Sequence, residues 1–70
     1  MEIRSVTVPV LHVYLFEGRT EEQKALLMKA LTDAVVTTLG SPTGNVRIMI
    51  QELQKEDYAV GGVSVKAMGR

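Results

Sequence analysis

The chain has 70 residues, with eight basic and eight acidic side chains, one histidine and no cysteine, so it reads as one small domain of zero net charge. That composition removes disulfides and thiolate metal sites, and it offers no electrostatic case for nucleic acid or an anionic membrane surface. Hydrophobic residues nonetheless make up 46% of the chain, more than an unstapled core of this size can use alone, and self-association is the expected stabiliser.

Residues 1–8, MEIRSVTV, mix β-branched residues with polar ones and suit either an extended strand or a leader. They lack the basic start and apolar core of a signal peptide. No stretch of the chain is apolar for long enough to span a bilayer. The expectation is a soluble, cytoplasmic protein with no membrane and no nucleic-acid partner.

Pro9 has no N–H and is uncomfortable inside a central strand, so a strand is expected to begin there. From Val10 to Phe16 the chain is apolar apart from His12. Leu11, Val13 and Leu15 fall on one face; Val10, His12, Tyr14 and Phe16 fall on the other. Two apolar faces call for two covers, the chain's own helix and a partner subunit. A lone His12 builds no zinc site without several carboxylates; it reads as an interface or partly satisfied polar residue.

Glu17, Gly18 and Arg19 form the turn. Thr20 is an N-cap and Gln23 completes a capping box, with Glu21 and Glu22 in the first turn, where the helix dipole favours acids. The helix is expected over residues 21–39. Leu27, Leu31, Ala34, Val35 and Thr38 form its buried stripe, with Leu26 and Ala30 at the margin. Lys24, Lys29 and Asp33 face water. Gly40 stops the helix and Pro42 follows.

A polar connection leads to a second strand over residues 45–53, where Val46, Ile48 and Ile50 alternate with Arg47, Met49 and Gln51. After a polar turn over residues 54–57, Tyr58, Ala59 and Val60 run into Gly61 and Gly62. These glycines signal a tight bend before Val63, Ser64 and Val65. Met28, Met49 and Met68 read as packing fillers. Strand, crossover helix, strand and a small C-terminal hairpin or arm make an α+β, β-α-β chain with its two strands parallel. Two strands and one helix make no stable sheet alone, so two chains are expected to join into a four-stranded dimer sheet.

The proline opening a short apolar strand, the EGRT-EEQK segment (residues 17–24), the NVRIMIQE strand (residues 45–52) and the Tyr-Ala-Val-Gly-Gly segment together resemble the 4-oxalocrotonate tautomerase family. The resemblance starts at Pro9 and continues to about Gly62, so residues 9–70 are taken as the tautomerase domain and residues 1–8 as an N-terminal extension. It implies β-α-β chains assembled into hexamers, as trimers of dimers. It also implies keto–enol tautomerisation of small unsaturated 2-oxo (di)acids in aromatic degradation, without metal or organic cofactor. The family's base is an amino-terminal proline, and Pro9 holds that position. Arg19 and Arg47 match the family's arginines as catalytic and substrate-binding residues. Tyr58 stands where the family usually has phenylalanine, and Phe16 joins it as a substrate-binding candidate.

The chemistry accounts for these residue types. Moving a proton between carbon and oxygen needs a base that takes and returns it near neutral pH. A free secondary amine among arginines in an apolar pocket has its cationic form disfavoured by desolvation and by like charge. Arginines grip carboxylates bidentately and stabilise dienolate charge, and an aromatic ring excludes water. The ordinary readings are a strand-start proline, a turn arginine, a solvated strand arginine and a packing tyrosine. A hydratase or dehalogenase of unsaturated acids on the same fold would need a carboxylate to activate water, for which Glu52 and Glu56 are available.

One departure matters. Eight residues precede Pro9, so its nitrogen is an amide without basicity, and removal of Met1 would expose Glu2 rather than proline. Three explanations are open. The first is a misplaced start: Val8 encoded by GTG can initiate translation in bacteria, and Ile3, Arg4 and Ser5 can be encoded with an AAGGAG ribosome-binding sequence upstream. The second is a real extension that blocks the site, making the chain a non-catalytic structural subunit paired with a paralogue in a hetero-oligomer rather than a homo-hexamer. The third is proteolytic trimming after Val8. The 70-residue form is expected to be weak or inactive, and a form beginning at Pro9 active.

Overall fold

A computed structural model describes residues 8–70. The strand possibility for the first seven residues lies outside the described part. Strand β1 (Val10–Phe16) leads into helix α1 (Glu21–Leu39), which returns the chain to strand β2 (Arg47–Leu53). A short hairpin, β3 (Ala59–Val60) and β4 (Val63–Ser64), follows. β1 and β2 pair in parallel with Val10 beside Arg47 and Phe16 beside Leu53. The small hairpin is antiparallel and pairs Val60 with Val63.

Local chemistry explains each boundary. The Gln23 N–H donates to Thr20 Oγ1 at 3.1 Å, and the Thr20 N–H donates to Gln23 Oε1 at 3.0 Å, which is the capping box read from the sequence. Gly40 ends the helix in the left-handed region at φ 72°, and its N–H donates to the Val36 carbonyl. The second strand starts at Arg47 rather than residue 45, because Thr43–Asn45 closes a 3-10 turn in which the Val46 N–H donates to the Thr43 carbonyl. Both turn glycines of the hairpin have positive φ, 61° at Gly61 and 85° at Gly62. A two-residue turn with the twist of its strands requires this, and glycine adopts it without strain.

The two faces of the β1–β2 ribbon differ sharply. Leu11, Val13, Leu15, Ile48 and Ile50 are half-buried, and so are Leu27, Leu31 and Val35 of α1. The opposite face is open: Val10 is 61%, Tyr14 58% and Met49 52% exposed. Among the described residues only the hydrophobic Val65 is fully buried, at 5% exposure. The helix stripe is narrower than the periodicity suggests. Ala34 and Thr38 are exposed, Leu26 and Ala30 also face outward, and Thr32 and Val36 take the half-buried places instead. A stripe 19 residues long drifts around the helix when the ribbon beneath it is only two strands wide. Lys24 does not face water. It is half-buried and its Nζ lies 2.6 Å from Glu52 Oε2 on β2, while Lys29 and Asp33 form an exposed pair one turn apart at 2.9 Å.

No helix among the described residues is long and apolar enough to cross a membrane.

Candidate active site

Parallel pairing puts the beginnings of β1 and β2 at one end of the ribbon and their ends at the other. Pro9 and Arg47 meet at the first end, where the Arg47 N–H donates to the Pro9 carbonyl at 2.9 Å. Pro9 is half-buried and Arg47 is exposed. The Arg47 side chain falls on the open face, as its alternation predicts. Its Nη1 donates to the Gly44 carbonyl at 2.6 Å, which ties the guanidinium to the turn before the strand.

Arg19, Phe16 and Tyr58 gather at the other end. The Phe16 and Tyr58 rings meet edge to face with centroids 5.4 Å apart, a favoured aromatic geometry. The Glu17 N–H donates to the Leu53 carbonyl at 2.9 Å, so the Glu17–Gly18–Arg19 turn stays closed onto the end of β2. Gly18 has φ 119°, outside the range of ordinary side chains, so glycine is required for this reversal. Two clefts open here. One, of about 490 Å³, has Tyr14, Phe16, Glu17 and Arg19 in its wall; the other, of about 550 Å³, lies between Tyr14, Phe16, Leu53 and Tyr58.

The sequence-derived residues thus form two groups, not one. Seven residues of β1 separate Pro9 from the Arg19 turn, a span of roughly 20 Å at the strand rise. No small acid bridges that distance within one chain.

His12 lies on the open face between the two ends. Its Nε2 is 3.0 Å from Gln51 Oε1, and its ring stacks on Tyr14 with centroids 4.4 Å apart. Glu52, one of the two carboxylates available for water activation, points to the helix side and is engaged by Lys24. Glu56 is engaged by Lys66 at 3.7 Å. Sequence reasoning passed over Tyr14, Lys55 and Arg70, which also line the first cleft. Tyr14 was legible from its shared face with Phe16. Lys55 and Arg70 carried no signal, because nothing in a polar turn and a basic tail says that they fold toward the same turn.

Similarity to known proteins runs through this arrangement. The Tautomerase family model, described as a tautomerase enzyme, matches residues 9–68, starting at the proline that opens β1. The chain belongs to the tautomerase family. It is 43% identical over 63 residues to a 2-hydroxymuconate tautomerase of Pseudomonas putida, a match covering 90% of this chain and all of that one. Among solved structures it is similar to a 4-oxalocrotonate tautomerase isozyme from Methylibium petroleiphilum, with 47% identity and a TM-score of 0.81, covering 89% of this chain and all of the other. It is also similar to a heterohexamer 4-oxalocrotonate tautomerase from Chloroflexus aurantiacus J-10-fl, with 38% identity and a TM-score of 0.77 over 83% of this chain and 94% of the other. The two parallel strands, one helix and small antiparallel hairpin of this chain are the family's β-α-β fold.

Proposed function

We propose that this tautomerase moves a proton between carbon and oxygen in a small unsaturated 2-oxo acid or diacid, in a form of the chain whose first residue is Pro9. The observation that carries this reading is the place of Pro9. It opens β1, half-buried, at the point where the family match begins. A free amine there takes a proton from the substrate's hydroxyl or carbon and returns it at the other position. An arginine facing the substrate holds its carboxylate and the charge that grows on the enolate oxygen. Phe16 and Tyr58 supply the apolar wall. No metal or organic cofactor enters this chemistry.

The roughly 20 Å between Pro9 and Arg19 makes the site composite: the base of one chain works with the Arg19 end of another. Two chains join edge to edge along their free strand edges into a four-stranded sheet, and a hexamer is such a dimer repeated three times around an axis, burying the open face that carries Val10, Tyr14 and Met49. Mixing tests this directly. Chains of all 70 residues, in which the Pro9 nitrogen is an amide, and chains beginning at Pro9 with Arg19→Ala are each expected to be nearly inactive. Unfolded and refolded together, they should regain activity, because some mixed sites combine a free Pro9 amine with an intact Arg19. Absence of rescue in well-formed mixed oligomers would sink the composite site.

A second reading has an observation in its favour. With residues 1–8 attached, Pro9 has no basic nitrogen, and one structural relative is a heterohexamer. In that form the chain is a structural subunit that lends its Arg19 end to a catalytic paralogue. Co-purification of a second tautomerase chain from the native source distinguishes it from a homo-oligomer.

A further inference from the structure

We propose that Lys55 and Arg70, brought beside Arg19 by the folded-back C-terminal tail, hold the far carboxylate of the substrate and select diacids over monoacids. The proposal rests on the tautomerase reading above and deepens it. It starts from the cleft of about 490 Å³ at the end of β1, whose wall includes Tyr14, Phe16, Glu17, Arg19, Lys55 and Arg70. That volume lies within the usual range for small-ligand sites. Three basic side chains and one acidic side chain line the cleft, a balance that favours anionic ligands. Among the described residues the ion pairs are Lys24 with Glu52, Lys29 with Asp33 and Lys66 with Glu56. None uses Arg19, Lys55 or Arg70.

The tail is held in place by a specific set of hydrogen bonds. Buried Val65 anchors it, and the Val65 N–H donates to the Tyr58 carbonyl at 2.8 Å. The Lys66 N–H donates to the Lys55 carbonyl at 3.2 Å, which fixes the Lys55 turn against the tail. The Ala67 N–H donates to Ser64 Oγ, the Gly69 N–H to the Lys66 carbonyl and the Arg70 N–H to the Val65 carbonyl. Gly69 has φ 78°, a left-handed reversal that turns Arg70 back toward the strand end. Glu56, beside Lys55 in an adjoining cleft, is taken by Lys66. Glu17 remains as the single acidic side chain in the wall of the main cleft.

Arg19 binds one carboxylate in a planar, bidentate way. Lys55 and Arg70 then offer a point charge and a second fork to the carboxylate at the opposite end of the substrate, with Tyr14 and Phe16 along the carbon chain. A monoacid meets only one of these two anion sites.

The test compares the chain beginning at Pro9 with its Lys55→Gln, Arg70→Gln double variant, on 2-hydroxymuconate and on the monoacid 2-hydroxypenta-2,4-dienoate. The double variant is expected to lose about ten- to a hundredfold in kcat/KM on the diacid, mainly through KM, the loss typical of charge-assisted hydrogen bonds. Its kcat/KM on the monoacid should stay within about twofold. Arg70→Lys, which keeps the charge, should retain most of the diacid preference. Equal losses on both substrates, or none on either, would overturn the proposal while leaving the tautomerase reading intact. If the chain turns over neither substrate, that reading fails, and binding decides the anion site alone. Calorimetry then compares (E,E)-muconate with sorbate, which has a methyl group in place of the second carboxylate. Tighter muconate binding, abolished in the double variant, supports the site; equal binding of both overturns it.

Discussion

The two ends of the β1–β2 ribbon are built from the same two strands, yet they are chemically unlike. The end where the strands begin carries Pro9 and Arg47, with the guanidinium folded back onto the Gly44 carbonyl. The end where they finish carries the Glu17–Gly18–Arg19 turn, the Phe16–Tyr58 ring pair and the clefts. One end holds the candidate base, and the other holds the two clefts described above. A parallel pair cannot bring its own two ends together, and on the proposed reading this division of chemistry calls for an assembly. The same lesson appears across the ribbon. One face is covered by α1, the other exposes Val10, Tyr14 and Met49, and in the proposed oligomer neighbouring chains cover it.

The division can be broken at the open face with the largest effect. Met49→Glu places a charge in the middle of that face, opposite His12 in the strand pairing. The expected outcome is loss of the oligomer in sedimentation and loss of activity to background, because an unpartnered charge in an apolar interface is costly. A fully assembled, active Met49→Glu protein would place the interface elsewhere. At the cleft end, Arg19→Ala should lower kcat/KM of the chain beginning at Pro9 by about a hundred- to a thousandfold, the loss seen when one donor to a developing oxyanion is removed. The oligomer should persist. Steady-state kinetics beside sedimentation separates this effect from the first.

Smaller changes sharpen the picture. Tyr58→Ala removes the ring that meets Phe16 and should cost about tenfold in activity, whereas Tyr58→Phe keeps the edge-to-face contact and should be nearly neutral. Equal losses for the two variants would mean that the hydroxyl, not the ring, matters. The smallest effect belongs away from both ends. Thr20→Ala removes the acceptor for the Gln23 N–H and should reduce stability by about 1 kcal/mol in denaturant unfolding, with kcat unchanged.

Much of this architecture was legible in the residues. The capping box at Thr20 and Gln23, the left-handed stop at Gly40 and the paired turn glycines at Gly61 and Gly62 each act within a few positions of the chain, and each is present as read. The alternation of Leu11, Val13 and Leu15 against Val10, His12 and Tyr14 separated the faces of β1 correctly. What sequence reading missed depends on the third dimension. Lys24 looked solvated because it is charged, but it sits three residues before Leu27 on the helix stripe, and β2 passes close enough for Glu52 to engage it. The pair is partly exposed, so its contribution is at most about 1 kcal/mol. Ala34 and Thr38 fell outside the buried stripe because a two-stranded ribbon is too narrow to cover it. The candidate site residues were nameable one by one through the family resemblance. Their separation into two ends follows from the parallel pairing, and the approach of Lys55 and Arg70 to Arg19 follows from a tail whose course no periodicity encodes.

The central claim is that the nitrogen of Pro9 is the base, and one comparison reaches it most directly. The tautomerisation rate of a simple 2-hydroxydienoate would be measured for the 70-residue chain and for a chain beginning at Pro9, with both confirmed as assembled oligomers. The account predicts turnover in the short form and little or none in the long form, where an amide stands in place of the amine. Equal rates in the two forms would contradict it, because a base that works as an amide is not this nitrogen.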